Sequence, residues 1–130
     1  MYLEANMAAP NIVNVTAITG KTSVTDLTST SATTVVSNAA SSNKVFKINS
    51  LIVSNVDGSA AADITISLYS QASIGGTATQ IVSTVSVPAD SSLVVIDKAS
   101  SIYLEEDKSI GATASAANDL KVVCSYEEIS

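Results

Sequence analysis

Residues 62–70, ADITISLYS, alternate between apolar and polar side chains from Ala62 to Tyr69. Successive side chains of a β-strand point to opposite faces, so this alternation predicts a strand with one face on a core. Its predicted core face carries Ile64, Ile66 and Leu68, opposite Asp63, Thr65, Ser67 and Tyr69. Residues 119–129, DLKVVCSYEEI, have the same period, with Leu120, Val122, Cys124 and Tyr126 on the predicted core face. Both stretches indicate antiparallel sheet, whose strands commonly bury one face and expose the other.

Strand-like stretches recur along the rest of the chain and are separated by turn signals. The further predicted strands are Asn11–Thr19, Thr33–Ser37, Lys44–Val56, Thr79–Val87, Ser92–Lys98 and Ser109–Ser115. The breaks between strands contain Asp57-Gly58, Gly75-Gly76, Pro88-Ala89-Asp90 and Asn118-Asp119, which are residue types that favour turns. No segment shows a helical stripe with caps. About eight short strands at this spacing predict an all-β, antiparallel β-sandwich, either jelly-roll-like or immunoglobulin-like in topology.

The first third of the chain differs from the rest in composition. Residues 21–43 consist almost entirely of Ser, Thr, Ala and Val. Such a stretch could be a long loop with an edge strand, or an arm that becomes ordered against a partner. We therefore predict a single domain in two parts: residues 1–43 as an N-terminal arm with edge strands, and residues 44–130 as the β-sandwich.

Charge and composition exclude several classes of function. The chain has six lysines, no arginine or histidine, and twelve acidic residues, which gives a net charge of −6. Nucleic-acid binding requires a basic patch, and anionic membranes repel an acidic surface, so we expect neither as a partner. The sequence shows no signal peptide and no apolar run near the ~20 residues of a membrane-spanning helix. We therefore expect the protein to be made and folded in the cytosol.

The acidic pairs Glu105–Glu106 and Glu127–Glu128 are the first candidates for chemistry. Adjacent strand residues point to opposite faces, so neither pair forms a catalytic dyad, and we expect both to be solvated strand ends. Without histidine, no serine or cysteine has an ordinary activating base. The sequence predicts no catalytic, cofactor or metal site, although a calcium ion bound at an interface stays open. Cys124, the single cysteine, is expected to be a small buried apolar residue.

From Lys44 onward the chain resembles small virion structural proteins of tailed bacteriophages. The resemblance covers about two-thirds of the chain and lies in three stretches: KVFKINSLIVSNVDGSAAADITISLY, VPADSSLVVIDKASSIYLEEDKSI and ASAANDLKVVCSYEEI. It implies a non-enzymatic virion protein made in the bacterial host cytoplasm. Within that class it favours a capsid decoration, or cement, protein that binds the major capsid protein at capsomer junctions and opposes the pressure of packaged DNA.

The resemblance further implies a homo-oligomer, with a trimer favoured. A neck, tail or fibre-associated protein of the same virion is the main alternative, and a carbohydrate- or receptor-binding module is a third. For an assembly role, the candidate interface residues are apolar side chains on the predicted arm, which has no evident internal core to join. These residues are Tyr2, Leu3, Ile12, Val13 and Val15.

Overall fold

The structure is a computed structural model that describes residue 10 and residues 12–130. Its strands are β1 Ile18–Asp26, β2 Thr33–Asn38, β3 Val45–Asn55, β4 Ala62–Gln71, β5 Gly75–Val87, β6 Ser92–Ile96, β7 Ile102–Leu104, β8 Lys108–Ala114 and β9 Leu120–Ile129. A single turn of 3-10 helix, Lys98–Ser100, connects β6 to β7. The predicted all-β class is confirmed.

The strands form two antiparallel sheets. Sheet A has the order β1-β9-β3-β6, with β7 also paired to β3, and sheet B has the order β2-β8-β4-β5. The pairs are nested: β4 pairs with β5, and around them β3 pairs with β6, β2 with β8 and β1 with β9. Each nested pair lies in the opposite sheet from the next pair, which is the arrangement of a jelly roll. Strand order therefore decides between the two topologies that the sequence left open.

The core lies between the sheets and follows the predicted alternation. Ile64 and Ile66 of β4, and Val122 and Cys124 of β9, are completely buried. The pattern fails at Ser67, which was expected to face solvent but is 6% exposed. The residue opposite Ser67 on β8 is Gly111, and a Cβ atom there would lie 2.7 Å from Ile74 and 2.8 Å from Tyr69. The loop between β4 and β5 therefore folds back over the outer face of sheet B.

Hydrogen bonds hold this loop against β2, β8 and the turn before β8. Three successive backbone N–H groups donate to side chains: Ala72 to Asp107 (3.1 Å), Ser73 to Ser37 (2.9 Å) and Ile74 to Ser109 (2.8 Å). Ile74 has a φ of 51°, a left-handed conformation that is unfavourable for a β-branched residue. The three hydrogen bonds offset that cost.

The strand predicted over Asn11–Thr19 is wrong for residues 12–17, which form turns and bends. The first strand instead runs through Ile18–Asp26, and both β1 and β2 are edge strands. Thus the stretch 21–43 contains edge strands that pair with β9 and β8 of the same chain. The division of the domain at Asn43 stays a prediction. The short strand β7 was not predicted, because its three residues are too few to show a period.

Candidate functional site

The candidate interface residues lie at the start of the described chain, before β1. Ile12 is 54% exposed and Val13 is 91% exposed, whereas Val15 is half-buried. The other two, Tyr2 and Leu3, lie outside the described residues. The structure thus places two large aliphatic side chains at the surface, next to each other in sequence. Their role as an interface stays a prediction.

Backbone hydrogen bonds tie the chain to the sandwich directly after this apolar segment. The N–H groups of Thr16 and Ala17 donate to the carbonyl oxygen of Ser130 (2.6 and 3.1 Å), and the Ser130 N–H donates to the Ala17 carbonyl (2.9 Å). These bonds extend the pairing of β1 with β9 by one step. The exposed segment therefore starts from a well-anchored edge of sheet A, and residues 12 and 13 lie close to that anchor in sequence.

The outer edge of β5 is a second surface that could contact another chain, but its geometry counts against strand addition. All thirteen residues of β5 are uncharged, a signal that was visible in the sequence. Three register shifts interrupt its pairing with β4. At two of the irregular positions a backbone N–H is already satisfied by a β4 hydroxyl, from Thr77 to Ser70 (2.8 Å) and from Thr84 to Thr65 (3.0 Å). Bulges of this kind protect an edge from pairing with other strands.

Neither glutamate pair is simply a solvated strand end: Glu127 and Glu128 lie on β9, whereas Glu105 and Glu106 lie between β7 and β8 rather than on a strand. Glu105 is exposed, whereas Glu106 is only 6% exposed, and neither of its carboxylate oxygens has a hydrogen-bond partner in the described chain. Glu127 accepts a hydrogen bond from the side-chain amide of Asn49 (2.7 Å). The expectation of solvated pairs is therefore wrong for Glu106, which is buried, and for Glu127, which Asn49 of β3 contacts.

Glu128 holds together three segments at one end of the sandwich. Its carboxylate lies 3.1 Å from Nζ of Lys21 on β1 and 3.2 Å from Nζ of Lys44, which immediately precedes β3. The Glu128 side chain is 13% exposed. Burial alone raises the pKa of Glu128, but the hydrogen bonds and charges of the two lysines outweigh it, and the pKa falls below its usual value. These contacts are structural ion pairs, formed by one carboxylate and two cations.

Cys124 has the buried, unreactive setting that its alternation predicts. The side chain is completely buried in the core. Burial raises the pKa of the thiol to about 12, because the thiolate would be poorly solvated there. Cys124 therefore packs as an apolar residue.

Asp57 stabilises the turn after β3. Oδ1 of Asp57 accepts hydrogen bonds from the N–H and hydroxyl of Ser59 (2.8 and 2.9 Å) and from the Ala60 N–H (3.3 Å). The bonds from Ser59 lower the pKa of Asp57. Over the described part of the chain, no cluster of three or more His, Cys, Asp or Glu side chains is arranged to hold a metal ion.

A small depression lies on sheet B beside Tyr69. It has a volume of about 160 Å³ and is lined by Leu68, Tyr69, Ser70, Thr77, Thr79 and Lys108. It brings together one lysine and no carboxylate. Among residues 10 and 12–130, no helix is long and apolar enough to cross a membrane.

Comparisons with known proteins bear on the fold. The sequence matches no protein-family profile and no curated protein. One similar solved structure is that of the Bacillus endospore appendages, a novel family of disulfide-linked pili; its chain is 18% identical, with a TM-score of 0.51, over 87% of this chain and 88% of that one. Another is the virus-like particle of the extra small virus of the giant freshwater prawn Macrobrachium rosenbergii. Its chain is 14% identical, with a TM-score of 0.44, and the match covers 93% of this chain and 85% of that one. At these identities the first likeness shows a shared all-β fold.

Proposed function

We propose that this protein is a non-enzymatic structural subunit of a bacteriophage virion, and specifically a capsid decoration protein bound at capsomer junctions. The observation that carries the proposal is the exposed aliphatic pair Ile12 and Val13, 54% and 91% exposed beside an anchored sheet edge. Exposed apolar side chains grouped in this way are typical of protein–protein contacts. The resemblance of residues 44–130 to phage virion proteins supports the choice of partner.

In this proposal the N-terminal residues supply the contacts between neighbouring subunits and with the major capsid protein. Tyr2, Leu3, Ile12, Val13 and Val15 provide the apolar side chains, and the hydrogen bonds of Ser130 hold the base of the segment in place. A fixed base lowers the entropy that is lost when the segment becomes ordered against a partner. Subunits joined in this way around a capsomer junction form a closed ring, for which a trimer is the expected size.

The likeness to pili is compatible with an assembling subunit, but the chemistry of assembly must differ. The Bacillus appendages are described as disulfide-linked. In this chain the single cysteine, Cys124, is buried in the core. Assembly is therefore non-covalent in our proposal and depends on apolar burial.

The test compares virions with and without the protein. Particles that lack it should release their DNA at a lower temperature, and adding back purified protein should restore retention. The double variant Ile12→Ser, Val13→Ser should bind these particles at least tenfold more weakly than the wild type. Ile81→Ser is the matched control, because Ile81 is also an exposed aliphatic residue but lies on β5.

Imaging of the particle separates capsid decoration from the alternatives. Density for the protein at capsomer junctions supports the proposal, whereas density at the neck, tail or fibres moves it to the main alternative. If particles without the protein retain DNA as well as the wild type does, a cementing role is wrong.

A further inference from the structure

The outer face of sheet A carries a row of aliphatic side chains that crosses four strands. Val24 on β1 lies opposite Val123 on β9, which lies opposite Ile52 on β3, which lies opposite Val94 on β6. Directly opposed residues in antiparallel strands share a face, so these four side chains are neighbours. Val24 is 69% exposed, Val94 56% and Val123 36%, and Ile52 is half-buried. We call these four residues the valine row.

The other rows of this face contain mostly small polar side chains, and their charged side chains are equal numbers of carboxylates and lysines. One flanking row contains Thr22, Ser125 and Ser50, and the other contains Asp26, Lys121, Ser54 and Ser92. A fourth row contains Gly20, Glu127, Lys47 and Tyr103. Asp26 and Lys121 form an ion pair of 3.0 Å, and Lys47 lies opposite Glu127.

The four rows therefore contain two carboxylates and two lysines and have no net charge, although the chain as a whole carries −6. This neutrality indicates what kind of partner fits the face. Two identical acidic chains repel each other except where the facing surfaces are uncharged. A basic partner would be held by an acidic face, and an anionic partner by a basic one, and this face is neither. A second copy of the same chain fits this face on two counts. It presents the same apolar row, and its own neutral face causes no electrostatic repulsion.

We propose that the outer face of sheet A is a twofold contact between two copies of this chain, centred on the valine row. A twofold axis places the same patch on both sides, so that one valine row packs against the other. Valine, serine and threonine are short side chains that suit face-to-face packing of two twisted sheets about 10 Å apart. The contact would stack two sandwiches into four sheet layers, with the two A sheets packed against each other in the middle.

The size of the face indicates a weak contact. Four strands about 4.8 Å apart and four rows about 6.8 Å apart cover roughly 500 Å² per copy, or about 1,000 Å² in total. That total is at the lower limit for specific protein–protein interfaces. Pairing should therefore depend on concentration, and every assembly that uses this face should contain an even number of chains. A trimer formed through the N-terminal segment would become a hexamer of two rings.

The inference rests on the geometry of sheet A and is independent of the virion role. Its test uses purified full-length protein in sedimentation equilibrium, from about 10 μM to about 1 mM, the range expected for weak interfaces. The wild type should show an even-numbered species that grows with concentration. Val94→Lys should weaken this association at least tenfold, because it places two like charges in the contact. Val94→Thr keeps the shape but loses the apolar surface, so it should weaken the association several-fold.

Ala61→Lys is the matched control, since it adds the same charge at an exposed loop position. It should associate like the wild type. Far-UV circular dichroism establishes that each variant is folded before the comparison. The inference is overturned if the wild type stays monomeric or purely trimeric up to 1 mM, or if Val94→Lys associates as strongly as Ala61→Lys. Particle binding by the Ile12, Val13 double variant is a separate measurement, so failure of one proposal does not hide the outcome of the other.

Discussion

Asn55, at the end of β3, should be among the most sensitive polar residues of the protein. It is 3% exposed, and its side-chain amide donates to the carbonyl oxygens of Ala60 and Val87, both at 2.9 Å. Its side-chain oxygen accepts the N–H of Asp57, also at 2.9 Å. The residue thus fastens the turn after β3 to the end of β5.

Replacing Asn55 with alanine removes all three hydrogen bonds at once. The Val87 carbonyl is in a buried position, where a missing partner costs about 1–3 kcal/mol. The other two groups can reach water, so their loss costs about 0.5–1.5 kcal/mol each. The sum is about 4 kcal/mol, a large part of the 5–15 kcal/mol by which a domain is ordinarily stable. Urea unfolding followed by circular dichroism measures this difference.

Asn55→Asp tests the direction of the hydrogen bonds, because it changes one donor into an acceptor at nearly constant shape. At pH 7 a carboxylate oxygen would face two carbonyl oxygens, so this variant should be less stable than Asn55→Ala. The folded-state pKa of the new carboxyl would be raised, so its destabilisation should appear as the pH rises above the unfolded-state pKa and should diminish toward pH 3.

Asn118→Asp is the control, at an exposed turn position with a φ of 70° that Asn and Asp both tolerate. It should be close to the wild type at both pH values. If Asn55→Asp equals or exceeds Asn55→Ala in stability at pH 7, the inferred roles of the two carbonyls are wrong.

Three further predictions concern single sites. Gly111→Ala should lower the free energy of unfolding in urea by about 1–3 kcal/mol, because the new Cβ would lie 2.7 Å from Ile74. Gly20→Ala, where no atom lies within 4 Å of the new Cβ, should be neutral or slightly stabilising. Equal losses in the two variants would contradict this explanation. Glu128→Gln should lower stability at pH 7 by roughly 1 kcal/mol, a value kept small because both lysine partners are partly exposed. The folded-state pKa of Glu128 is lowered from 4.5, so the difference in stability between Glu128→Gln and the wild type should disappear as the pH falls through that lowered value. A difference that persists at pH 2 would rule out the ion pairs as its cause. Burial raises the pKa of the Cys124 thiol to about 12, against an ordinary 9.0. In the folded protein this thiol should therefore react with a thiol reagent at pH 8 roughly a thousandfold more slowly than in the unfolded chain. Fast labelling of the folded protein would refute its burial.

Local alternation predicted β4 and β9 well because both strands are covered on one face by the core. The prediction failed for β1 for the opposite physical reason. Residues 12–15 contain Ile12, Val13 and Val15, which resemble a buried strand, whereas β1 itself includes Gly20 and Lys21 and is largely exposed. An edge strand with little buried surface has no apolar period to detect. Its pairing with β9 supplies the stability that its own side chains lack.

The candidate interface was only partly accessible from the sequence. Apolar side chains near the N-terminus were evident, and two of them lie at the surface as that reasoning requires. The burial of Glu106 was not evident, because nothing in the local sequence distinguishes it from the exposed Glu105. The ion pairs of Glu128 were not predicted for a related reason, since Lys21 and Lys44 lie 107 and 84 residues before it in the sequence and no local pattern joins them.

The sequence by itself determined the all-β class, the positions of most strands and the inward direction of Cys124. These features depend on the side-chain period within one strand, which is a local property. Tertiary structure alone decided the jelly-roll order, the covering of Gly111 by Ile74 and the valine row. Val24, Ile52, Val94 and Val123 come from four separate strands, and they become neighbours only because the pairing register aligns them. Register arises from how whole strands bury their faces together, so it is set when the two sheets pack.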